Sequence, residues 1–252
     1  MLIFEKNAAM IFFKRLPNYL ILLIIGLGIT SCEDVMNPTL SEAEVVQGLK
    51  SALVVGTDTA VFQTHKTDGY FKDAIIKIMM PTDAEVIVKN ISYIPGGQAM
   101  LDKVVLLMNR AAEDAAGEAA PIFKDAITQM TIADAWGILN GADTAATHYL
   151  RMKTYDRLRD AFHPIINASL SKELLPGTSP LQAWTDLTTS YNAVANSLVG
   201  QLAGLTPVNS QLDTWVTYRA LHGLFIKIAE EEVSIRHDPL ARVNDILRKV
   251  FQ

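Results

Sequence analysis

The stretch LSEAEVVQGLKSALVVGTDTAVFQ, Leu40 to Gln63, decides the fold. It opens as a helix start: the Ser41 hydroxyl can accept the Glu44 amide, Glu44 can reach back, and Leu40 can staple onto Val45. Val45, Leu49, Ala52, Leu53, Gly56, Ala60 and Val61 then recur at steps of three and four. That period puts one helical face on a core through about Gln63. Thr67-Asp68-Gly69 ends the helix.

Downstream the same pattern repeats. Ile75, Ile76, Ile78, Met79 and Met80 fit either a short helix or an extended buried segment, closed by Pro81. Thr82 and Glu85 give a second capping signal for a helix to about Tyr93, stopped by Pro95-Gly96-Gly97. From Gln98 to Ala119, Leu101, Val104, Val105, Met108, Ala112, Ala115 and Ala119 form one stripe, with only Gly117 against it. Helices are expected over 122–130 behind Pro121, and from Thr131 and Asp134 to Asn140-Gly141.

Asp143 is expected to cap a segment through Met152, and 154–175 to be helical with a kink at Pro164. Pro176 to Pro180 is a break. Trp184, Leu187, Tyr191, Val194 and Leu198 then take the spacing of a bundle seam. A helix opened by Asp213 turns Trp215, Tyr218, Leu221, Phe225 and Ile228 inward. The last starts at Asp238-Pro239, with Leu240, Val243, Leu247, Val250 and Phe251 inward. No period-two alternation between hairpin turns is sustained, so residues 40–252 are expected to form an all-α domain, a single bundle of about eight to ten helices.

Upstream, Lys14 and Arg15 precede the apolar run Leu20 to Ile29 and then Thr30-Ser31-Cys32. The run has 10 residues and holds Gly26 and Gly28. A permanent span needs about 20 apolar residues, so this reads as an export signal over 1–31, with Met10 the preferred start. Ile29-Thr30-Ser31-Cys32 resembles the bacterial lipobox. That resemblance implies lipid on the Cys32 sulfur, cleavage before it, and a tether over 32–39. The implied location is a bacterial envelope membrane, with the chain facing the periplasm or the cell exterior. The single cysteine agrees, since an exported chain with one thiol cannot pair it internally.

The whole chain has 22 basic and 27 acidic residues and is half apolar, which excludes a disordered or fibrous protein. Beyond Cys32, 19 basic residues face 26 acidic ones. That balance argues against a nucleic-acid partner.

Motifs for chemistry are sparse. His65, His148, His163, His222 and His237 include no zinc-protease or di-iron spacing, so no metal and no cofactor is expected. Gly-x-Ser-x-Gly is missing and the one cysteine is assigned to lipid, so two nucleophile classes lack their signature. Asn140 to Tyr149 reads as a helix end at Gly141 followed by a cap, rather than a ligand loop. His222 reads as a hydrogen-bonded residue at the core edge. Trp184, Tyr191, Trp215 and Tyr218 read as core seam before sugar platform.

Two charge groups stand out. Arg110 lies three and four residues before Glu113 and Asp114, within pairing reach on one helix. Glu230-Glu231-Glu232 sits near a helix C-terminus, where carboxylates oppose the macrodipole. Arg236 can relieve Glu232, while Glu231 needs a cation from another helix or a solvated surface.

Several segments together resemble the bacterial exported proteins grouped as domain of unknown function 4197. They are Gly69-Tyr70-Phe71, Asn109 to Ala115, Ala126 to Thr131, Asp134 to Tyr149, Leu221 to Phe225 and Ile235 to Pro239. The resemblance covers essentially the whole mature chain. It implies helical architecture and envelope location, and no reaction.

The expected function is therefore a noncatalytic helical binding or scaffold module held to a membrane by its N-terminal lipid. Its partner would be an envelope protein or a small ligand. The balance is against an enzyme. The alternative is an enzyme or small-ligand-binding protein with a polar site between helices, built from Arg110, Glu113, Asp134, Glu231 and Arg236.

Overall fold

The computed structural model describes residues 41–90, 97–173, 179–242 and 248. The signal and tether at 1–39 lie outside them. So do the expected breaks at 95–96 and 176–178, and the last helix with Val243, Leu247, Val250 and Phe251.

All regular structure among the described residues is helical. The helices are α1 (Glu42–His65), α2 (Glu85–Asn90), α3 (Gly97–Ala116), α4 (Ala119–Thr128), α5 (Ile132–Leu139), α6 (Ala145–Ser171), α7 (Pro180–Ala195), α8 (Leu198–Leu202) and α9 (Leu212–His237). α1 starts at the expected capping box: the Glu44 amide donates to the Ser41 hydroxyl oxygen, and the Ser41 amide donates to Glu44 at 2.8 Å. Thr131 and Asp134 form the same device at the start of α5.

α3, α6 and α9 pack on one another and α1 packs on α3 and α9 around one apolar cluster, with α4 against α1 and α6, and α7 against α6 and α9. Leu150, Leu158, Phe162, Ile166 and Leu170 line the buried face of α6. Ala111, Ala112, Ala115 and Ala116 are fully buried on α3, and such small side chains let neighbouring backbones come close. The Phe123 ring meets Phe225 edge to face at 5.9 Å.

Several expected boundaries move. α3 stops at Ala116, because Gly117 opens a turn under the His65 ring, where a Cβ would sit 3.1 Å away; Ala119 starts α4 instead. Asp143 does not cap α6. Thr144 holds the N-cap position, and Asp143 pairs with His237 at 3.0 Å. α6 runs continuously through Pro164.

Thr82 and Glu85 do not form a cap. Pro81 precedes a 3-10 turn at Thr82–Ala84, while Asp83 accepts the amides of Asn209 and Ser210. The seam of α7 ends early: Trp184 is buried, but Val194 and Leu198 are exposed because the helix breaks at Asn196-Ser197. Leu240 is also exposed, on a 3-10 turn at Pro239–Ala241.

The ambiguous stretch after α1 is not helical. It makes turns through Ile76 and then runs without regular secondary structure to Pro81. Asn109 holds this stretch: its side chain accepts the Ile78 amide and donates to the Ile78 carbonyl, both at 2.8 Å, as a neighbouring strand would. Ile76 and Ile78 are thereby buried.

Candidate functional site

Arg110 and Glu113 do meet, three residues apart on α3. One Arg110 nitrogen donates to Glu113 Oε2 at 2.5 Å and the other to Asp68 at 2.6 Å. Glu113, buried, also accepts the amides of Tyr70 and Phe71 at 3.1 and 3.2 Å. Lys72 and Arg110 beside Asp68 hold its carboxyl below the usual range. Arg110 is itself held protonated more firmly by Glu113 and Asp68, against the cost of its partial burial.

The pair thus splints the 66–80 segment onto α3. α9 holds the same segment from the other side. The Tyr70 hydroxyl donates to the Ala220 carbonyl at 2.7 Å, and Lys227 pairs with Asp73 at 2.6 Å. Burial, and then the nearby Glu113 carboxylate, push the Tyr70 phenol pKa up, so it stays a neutral donor.

The triple glutamate resolves into three separate partnerships. Glu230 pairs with Lys227 at 2.8 Å, and Glu231 accepts from Gln63 at 2.8 Å. Glu232 is buried and accepts the Ala146 and Thr147 amides and the Thr147 hydroxyl at 2.8–2.9 Å. It thereby caps the first turn of α6, where a negative charge opposes the positive end of the helix. Arg236 bonds Glu232 and also donates to the Ile138 carbonyl at the end of α5, at 2.9 Å. Asp134 is spent in the α5 capping box, where the Thr131 hydroxyl and amide keep it ionised.

The five residues Arg110, Glu113, Asp134, Glu231 and Arg236 therefore take part in four local networks: the α3 splint, the α5 cap, the Gln63 contact and the α6 cap. Among the described residues no group of three or more His, Cys, Asp or Glu is placed to hold a metal. No described helix is long and apolar enough to cross a membrane.

A different surface combines open space with varied chemistry. Between α6 and α9 runs a groove of about 630 Å³ lined by Tyr155, Arg159, His163, Thr214, Tyr218 and Leu221, among others. Tyr218 is 49% exposed, so it is a surface ring rather than core seam. His222 stacks on it at 6.3 Å with the rings nearly parallel. The Arg151 guanidinium lies 5.5 Å from the Tyr155 and Phe225 ring centres, and Arg219 lies 5.7 Å from Trp215.

Those cations lie outside the groove lining; within it, Arg159 pairs with Asp156 and Asp160, and His163 approaches Asp213 at 3.2 Å. The aromatic residues of α9 were legible as a helical stripe. The exposure of Tyr218 was not, because the core boundary around α9 depends on where α6 lies.

An all-helical bundle with scattered capping and splinting ion pairs is the class this architecture defines. A family model described as protein of unknown function (DUF4197) matches residues 39–252, and the chain belongs to that family. No curated protein and no solved structure matches it. The segments that carried the family resemblance meet in space. Gly69-Tyr70-Phe71 packs on α3 at Glu113 and on α9 at Ala220 and Gly223, and the first turn of α6 before Tyr149 is joined to α9 through Glu232.

Proposed function

We propose that this protein is a noncatalytic helical binding or scaffold module, held on a bacterial envelope membrane by lipid at Cys32 and facing the periplasm or the cell exterior. The observation that carries the noncatalytic part is the fate of the charged residues. The buried carboxylates Glu113 and Glu232 are each saturated by backbone amides and an arginine, so neither is free to move a proton to a ligand. The anchor rests on the order of cations, apolar run, small residues and thiol between Lys14 and Cys32. More than one acyl chain, at about 0.8 kcal/mol per buried methylene, would give an anchor that does not release.

Metabolic labelling with an alkyne fatty acid tests the anchor. The wild-type chain should be labelled, cleaved and recovered with membranes. Cys32→Ser should be unlabelled and remain as the longer precursor. Labelling that persists in Cys32→Ser would overturn the lipid assignment.

A further inference from the structure

The short helix α8 is fixed at both ends. The Ser197 hydroxyl accepts the Gly200 amide at 3.1 Å and caps its start. At its end the Leu205 amide donates to the Gly200 carbonyl at 2.9 Å and the Gly204 amide to the Gln201 carbonyl at 3.1 Å, with Gly204 in the left-handed region at φ +72°. Gly200 is buried against the last turn of α7, where a Cβ would overlap the Val194 carbonyl and lie 2.8 Å from that of Ala195. With 3.6 residues per turn, seating Gly200 there turns Leu198, Val199 and Leu202 to the opposite side. They are 74%, 75% and 82% exposed, and Val194 at the end of α7 adds a fourth aliphatic group.

The sequence around them carries no charge. From Leu187 to Leu212, between Asp186 and Asp213, there is no Asp, Glu, Lys, Arg or His, in a chain with 22 basic and 27 acidic residues. Other exposed apolar side chains stand among charges: Phe62 lies one turn from Asp58 and Lys66, and Met152 lies between Arg151 and Lys153.

We propose that this face of α8 dips into the interfacial layer of a lipid bilayer, giving the anchored body a second contact with its membrane. The inference rests on the envelope reading above and adds where the folded body touches lipid.

Three features select lipid over a protein surface. The four side chains expose on the order of 400 Å², about half of what each partner contributes to a stable protein interface. A bilayer needs no complementary shape, and aliphatic groups enter the boundary between headgroups and acyl chains through the hydrophobic effect. Charged side chains would oppose that entry, and this stretch supplies none, while exposed Asn196, Gln201 and Thr206 can bond headgroups and water. Finally, beyond Cys32 the chain has 19 basic and 26 acidic residues, so an anionic headgroup layer repels the body as a whole and an uncharged face least.

The test places a polarity-sensitive nitrobenzoxadiazole dye on single introduced cysteines of the lipidated full chain. The chain is reconstituted in phosphatidylcholine vesicles with and without lipid brominated on its acyl chains. Acylated Cys32 has no free thiol, so the parent chain should take no dye. Dye at Leu202→Cys should emit further to the blue and be quenched by the brominated lipid several-fold more than dye at Lys124→Cys, an exposed site on α4. Adding phosphatidylglycerol or raising the salt should leave that contrast unchanged, because no charge takes part. Leu198→Gln with Val199→Gln should bring the Leu202 signal down to the Lys124 level, with circular dichroism unchanged because both side chains are exposed.

Equal quenching at Leu202 and Lys124 overturns the proposal. So does quenching at Leu202 that needs anionic lipid or disappears in salt. A blue-shifted dye that the brominated lipid does not quench overturns it too, since protein then covers the face; energy transfer between labelled copies would identify that protein as a second copy. If the parent chain itself takes the dye, the anchor reading fails, and the same contrast measured on Cys32→Ser with vesicles added decides this inference by itself.

Discussion

The Tyr70 hydroxyl donates a 2.7 Å hydrogen bond to the carbonyl of Ala220, a residue 150 positions further along the chain. Three residues on, Gly223 leaves the space that the Tyr70 ring fills. A Cβ there would sit 2.8 Å from the ring and 3.0 Å from Ile76. A loop after α1 is thus seated in a notch of α9, and the residue that makes the notch is a glycine inside a helix.

Gly223→Ala should therefore destabilise more than its helix propensity would suggest. Alanine favours the helix by about 1 kcal/mol, whereas forcing atoms into a packed site costs about 1–3 kcal/mol. Tyr70→Phe, which removes only the hydroxyl, should cost about 0.5–1.5 kcal/mol. Urea unfolding followed by circular dichroism compares them. A more stable Gly223→Ala protein would show that the loop yields and that the notch is not a constraint.

Glu232 and Arg236 should behave as one unit. Glu232→Ala leaves Arg236 half-buried without its carboxylate and frees the Ala146 and Thr147 amides, at a cost of about 3–5 kcal/mol. The double change Glu232→Ala with Arg236→Met should cost less than the sum of the single changes, because the orphaned charge goes with its partner. Additive losses in such a cycle would mean that the pair is not coupled.

Acid should loosen the loop first. Asp68 is held below the ordinary carboxyl value by Lys72 and Arg110, and Asp73 by Lys227 and the Ile75 and Ile76 amides against its partial burial. A depressed folded pKa contributes stability that is complete above the ordinary value of 3.8 and is lost as pH falls through the lower folded value. Stability should therefore fall on acidification below about pH 4. Asp68→Asn should flatten that dependence, as read from urea midpoints between pH 5 and pH 2; an unchanged slope would remove Asp68 from the account.

His222 supplies a second, independent titration. Burial, then Arg219 and Arg151, push its pKa below the ordinary imidazole value of 6.5, so the folded protein resists its protonation. Its contribution to stability is complete above that value and declines as pH falls through the lower folded one. Arg151→Gln should move the imidazole midpoint upward in an NMR titration. A midpoint that stays put would mean that the two side chains do not share one electrostatic environment.

Much of the fold was legible because helix signals are local. The Ser41 and Thr131 capping boxes each lie within four residues, and the stripe from Leu49 to Val61 is a matter of period alone. The ends of α3 and α7 were harder. There a glycine under a histidine ring, or a serine able to cap a new short helix, ends the element against its own periodicity.

What the sequence determined by itself is the helical class, the starts of α1 and α5, and the pairing of Arg110 with Glu113 and of Glu232 with Arg236, since these depend on neighbours three or four residues away. Only the tertiary structure decided what those pairs do. Glu113 holds amides of a loop 42 and 43 residues before it, and Glu232 caps a helix that starts 87 residues upstream. No local rule connects a carboxylate with a distant helix end. Once packing has removed water from both, the unpaired amides and the charge have only each other to bond.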